Sequence, residues 1–160
     1  VTELNLNLLK KVLDKIVSDP DDHNQSQWMV VTGPIEPTRE VRSTDGVLAG
    51  VELSCPTTAC VAGWACALAG DVPFIAWWEL NRIGCEEELP WGICGCEEGL
   101  PYIEQVVTPE GEVHYIKNRA AALLGLDCDV AYDLFDACNT RGYVTNRLSE
   151  LIKEAERKLL

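Results

Sequence analysis

A stretch near the middle of the chain, Ala59-Cys60-Val61-Ala62-Gly63-Trp64-Ala65-Cys66-Ala67-Leu68-Ala69, is apolar at every position. A helix without a polar face has to be enclosed, and this one is too short to cross a bilayer, so it must sit inside a folded domain. Pro56 and Thr57 supply start chemistry for a buried helix over 55–70, and Gly70-Asp71 supplies its stop. The alanines and Gly63 let a neighbouring element approach closely, with Trp64 as the large packing piece. At 160 residues, 47% apolar, the chain is long enough to bury such a centre in one domain spanning 1–160. It contains no run of 18 apolar residues.

Around that centre, periodicity predicts mostly helix. Leu6, Leu9, Val12, Leu13, Ile16 and Val17 recur at three- and four-residue steps, giving an amphipathic helix over 3–18 that Pro20 ends. From His23 to Asp45 the chain is polar and turn-rich, with Trp28 to Val31 as a buried anchor or short strand. Residues 46–53 alternate as a strand, and Pro73 to Arg82, carrying Phe74, Trp77 and Trp78, reads as a second short helix. Residues 83–100 form an acidic Cys/Gly-rich insert loop, and 102–116 a β-hairpin turning at Pro109-Glu110-Gly111. Three helices follow: a short one from Arg119 to Leu124 capped by Asn118, one capped by Asp127 or Asp129, and a final one from Thr145 onward. The fold class expected is α+β, mostly helical, with a small antiparallel sheet or hairpin.

Charge narrows the function. The chain has 26 acidic and 13 basic residues, a formal −13. Between Ser43 and Ile116 there are twelve acids and one base, Arg82. Nucleic-acid binding needs clustered Lys and Arg, so direct binding of DNA or RNA is disfavoured, as is an anionic membrane surface; a basic partner is favoured. The 118–138 segment carries Arg119 against Asp127, Asp129, Asp133 and Asp136, the wrong sign for a recognition helix. Within the 83–100 loop, Trp91 between Pro90 and Gly92 is a good interface anchor, with Glu86, Glu87, Glu88, Glu97 and Glu98 around it. The best reading is therefore a non-enzymatic binding protein, monomer or homodimer, presenting this surface to the basic face of another protein.

Eight cysteines offer two alternatives. Val1 to Val17 carries Lys10, Lys11 and Lys15 within its apolar repeat and does not read as an export signal, so reduced thiols in a cytoplasmic protein are the expectation. Cys66, Cys128 and Cys138 sit at core-facing helical positions. Cys60, in the first turn of the buried helix, is where a helix dipole lowers a thiol pKa. His114 on the hairpin, oriented by Glu112 or Glu104, or alternatively His23, is the base that a Cys60 hydrolase or transferase would need. Separately, Cys85, Cys94 and Cys96 with Cys55 or Cys60 make a candidate zinc set, although no Cys-x2-Cys pair is present and the function requires no cofactor.

One pattern crosses these readings. The Cys55-x-Thr57-x-x-Cys60-x-Ala62-Gly63-Trp64-Ala65 run follows His23 and Trp28, and precedes Arg119-Ala-Ala-x-Leu-Leu-Gly-Leu126 and Asp133-Leu-Phe135. This ordered set resembles a group of small bacterial and bacteriophage proteins without assigned activity. That group carries Gly where this chain has Pro56, and the 83–100 insert is particular to this chain. The resemblance implies a cytoplasmic, phage-associated accessory protein and no particular chemistry.

Overall fold

The computed structural model describes residues 3–30, 37–42, 48–53, 58–76 and 103–160. Helix α1 spans Leu6–Ser18, and its apolar stripe buries Leu8, Leu9, Val12 and Ile16. Asn5 caps it, its Oδ1 accepting from the Leu8 N–H at 3.1 Å, while its Nδ2 donates across the fold to the Leu123 carbonyl at 3.0 Å. A single 3₁₀ turn, Pro20–Asp22, follows. Here Lys15 Nζ reaches both Asp19 and Asp22 and stands 4.6 Å over the Trp64 ring, whose Nε1–H donates to the Asp22 carbonyl. The end of α1 is thereby tied to the buried helix.

Strand β1, Met29–Val30, pairs antiparallel with β4, Thr58–Ala59. A second antiparallel sheet comprises β2 (Pro37–Arg42), β3 (Leu48–Leu53), β5 (Val72–Ala76), β6 (Gln105–Val107) and β7 (Val113–Tyr115), in that spatial order. Among the described residues the remaining helices are α2 (Val61–Leu68), α3 (Ile116–Leu124), α4 (Cys128–Leu134) and α5 (Arg141–Lys158). The fold is α+β, as the patterning predicts.

Helix α2 is buried from Val61 to Cys66 and packs against α1 and α3. Gly63 meets its requirement here, since a Cβ at that position would lie 1.9 Å from the Trp28 carbonyl oxygen. Successive residues of β5 face opposite ways. Ile75, with Val106 of β6, joins the main core beneath the helices, while Phe74 and Ala76 form a smaller cluster with Val41 and Val107. Fully burying a side chain such as Leu9, Ile16 or Ile116 contributes about 1.5–3 kcal/mol, and truncating one to alanine costs about 2–5 kcal/mol.

Several boundaries differ from expectation. The chain from Val72 to Ala76 is strand, not helix, and 77–82 lie outside the described residues. Helix α2 starts five residues beyond Pro56, with Cys60 as its N-cap. Helix α3 begins at Ile116 directly from the hairpin, with Tyr115 at the cap, so Asn118 lies inside it. Helix α5 begins at Arg141, because Thr140 Oγ1 accepts from the Tyr143 N–H at 3.2 Å. Pro37–Arg42, within the segment expected to be turns, is an edge strand.

Candidate functional site

Cys60 and the loop from His23 to Trp28 meet at the start of α2. The Cys60 N–H donates to the carbonyls of Gln27 and Trp28, and His23 bridges to Ala59 beside it. Gln25 holds the junction together. Its Oε1 accepts from the Val61 N–H at 3.4 Å and lies 3.1 Å from His23 Nε2, while its Nε2 donates to the carbonyls of Leu134 and Asp136. A polar group this well satisfied can be buried at little cost, and Gln25 is 8% exposed.

The thiol of Cys60 is fully buried, and desolvation pushes its pKa up to about 11 against an ordinary value of 9.0. The N–H groups of Gly63 and Ala62 act in the opposite direction and are outweighed. An activated nucleophile at a helix start would need its thiol pKa lowered, whereas here burial of the sulfur outweighs the helix N–H groups and disfavours the thiolate. His23 is half-buried and its pKa is lowered, chiefly by desolvation. Cys66 is also buried, with its pKa raised by the same cause, and its Sγ lies 3.7 Å from the Ile116 carbonyl oxygen. Cys128 and Cys138, expected in the core, are exposed: Cys128 opens α4 and Cys138 lies beyond its end.

His114 and Glu112 do meet, with Nε2 and Oε2 3.2 Å apart at the surface of the β6–β7 hairpin. Among the described residues no hydrogen bond joins that pair to Cys60. Glu104 is likewise exposed on the hairpin. Among the described residues there is no cluster of His, Cys, Asp or Glu able to hold a metal ion. Cys55, Cys85, Cys94 and Cys96, and the acidic set Glu86, Glu87, Glu88, Glu97 and Glu98 with Trp91, lie outside the described residues. Also among the described residues, no helix is long and apolar enough to cross a membrane.

Two features escaped the sequence reading. Asp71, just after α2, is 3% exposed and takes a two-pronged bond from Arg119 of α3, at 2.8 Å to Nε and 3.1 Å to Nη2. Both residues stand in segments read for other reasons, 48 positions apart, and no spacing rule joins them. The other is an aromatic groove of Trp28, Tyr132 and Phe135 between the β1 segment and α4. Comparison with family models, with curated proteins and with solved structures gives no match for this chain.

Proposed function

We propose that this is a non-enzymatic accessory protein, phage-associated as its sequence blocks imply, that binds the basic surface of a host or phage protein through the acidic, Trp91-containing surface of residues 83–100. The observation that carries the reading is the segregation of charge between Ser43 and Ile116. Some of the span's acids are neutralised internally, Asp71 by Arg119 and Glu52 by Arg39. Among the described residues of the span, Glu104, Glu110 and Glu112 face solvent. Several bases elsewhere are already engaged by carboxylates: Lys10 by Glu156, Arg147 by Glu150 and Asp133, and Lys158 by Glu154. The net surface field is therefore negative, which steers a cationic partner and repels nucleic acid. The buried, high-pKa thiol of Cys60 further favours binding over cysteine-dependent catalysis.

The test is reversal of Glu86, Glu87 and Glu88 to lysine, with the partner isolated at low and at moderate salt. Wild-type protein retains a stoichiometric basic partner at low salt and releases it as salt rises, while the variant retains none. Equal retention by both proteins, or a complex indifferent to salt, overturns the reading.

A further inference from the structure

The groove beside α4 has the chemistry of a cation-binding site. Trp28 and Phe135 meet edge-to-face in it, with ring centroids 6.5 Å apart. Tyr132 stands at its rim, 69% exposed, where a buried-core role is ruled out. Lys117 Nζ already lies 5.3 Å from the Tyr132 ring centroid, so that ring face accepts a cation in this structure. Asp136 supplies a carboxylate: its Oδ1 accepts from the Cys138 N–H, and among the described residues Oδ2 has no protein partner. The cavity, about 240 Å³, is smaller than a typical small-molecule site and suits a single side chain.

We propose that this groove takes the guanidinium of an arginine presented by a partner protein, between the Tyr132 ring and the Asp136 carboxylate, with Lys117 as the displaceable internal competitor. This rests on the reading of a basic partner and adds a second contact outside the acidic span. Arginine fits better than lysine. Its planar head stacks on a ring face while its N–H groups reach a carboxylate, and it sheds water more readily than an ammonium. Lys117 lies on the exposed side of α3 with a flexible stem, so it can move to solvent when an arginine enters.

The experiment is an NMR titration of the full chain with N-acetyl-arginine methylamide at fixed ionic strength, reading the Trp28 indole N–H and the Tyr132 and Phe135 ring signals. Saturable shifts confined to these groups are expected, with Tyr132→Ala weakening binding about threefold or more and Tyr132→Phe retaining it. Lys117→Ala should tighten binding by about twofold or more by removing the competitor. The same charge change at Lys11→Ala, on the exposed face of α1, should leave it unaltered. Replacing Glu86, Glu87 and Glu88 by glutamine leaves this titration unchanged even where it abolishes partner retention, so the groove and the acidic span fail separately. Shifts that do not saturate, an equal response to neutral N-acetyl-norleucine methylamide, or wild-type affinity in Tyr132→Ala each overturn the proposal.

Discussion

Arg119→Met isolates one buried electrostatic dependence of the fold, the pairing of Arg119 with Asp71. The Asp71 side chain is wholly buried and Arg119 is its ion-pair partner, with 23% of the arginine side chain exposed. Removing the arginine leaves a carboxylate with no compensating charge, which typically costs about 3–5 kcal/mol. Since the arginine end is partly wetted, the lower part of that range applies, about 3 kcal/mol. With a urea dependence of about 2 kcal/mol per molar, the unfolding midpoint should fall by roughly 1.5 M. Asp71→Asn leaves a cation that reaches solvent, so it should cost less, about 1–2 kcal/mol. The double variant should be less destabilised than the sum of the two, by at least about 1 kcal/mol. Equilibrium urea unfolding followed by circular dichroism reads all four proteins. An Arg119→Met variant within about 0.5 kcal/mol of wild type, or strictly additive effects, would refute the argument that this pair holds α3 to the end of α2.

Other consequences follow from burial and close approach. With iodoacetamide at pH 7.5, mass spectrometry should find Cys128 and Cys138 modified in the native protein and Cys60 and Cys66 protected until unfolding. Because the folded Cys60 pKa lies above its ordinary 9.0, the unfolded chain releases this proton first. Stability should therefore fall from pH 9 upward, by about 2 kcal/mol at pH 11 from this group, and Cys60→Ala should remove that part of the slope in urea titrations at each pH. His23 behaves oppositely: its folded pKa is lowered below 6.5, so its stabilising share is present above that pH and is lost as pH falls. His23→Gln should flatten that acid limb. Gly63→Ala places a Cβ against the Trp28 carbonyl and should cost about 1–3 kcal/mol through a forced shift, read as a lowered thermal midpoint.

Legibility followed physical cause. Helix α1, the hairpin and the Asp127 cap of α4 were readable because each depends on residues close in sequence: a 3.6-residue apolar stripe, turn residues, and an Asp whose Oδ1 accepts from the Val130 N–H at 2.9 Å. Strand β5 was misread because it lies between β3 and β6 and is buried on both faces, which erases alternation and leaves only a short apolar run. Its proline is tolerated because Pro73 pairs with Val106 of β6 before the pairing with β3 begins at Phe74. Strand β2 was missed for the reverse reason: it is polar and pairs Arg39 across to Glu52, with Val41 as its buried apolar residue. At the candidate site, the position of Cys60 at a helix start was legible, whereas the desolvation that governs its chemistry comes from the packed loop around Gln25 and Trp28. Tyr132 and Lys117 come together only once α3 and α4 are folded against each other.

The most direct test of the binding account is a native mass spectrum of the untagged protein, gently isolated from the cells that make it and set beside its denatured mass. The account predicts a stoichiometric complex with a basic polypeptide that dissociates as salt is raised, with Cys60 unmodified by prior exposure to iodoacetamide at neutral pH. A bare chain at every salt concentration, with Cys60 rapidly alkylated at pH 6–7, would contradict it and return the cysteine to the centre of the function.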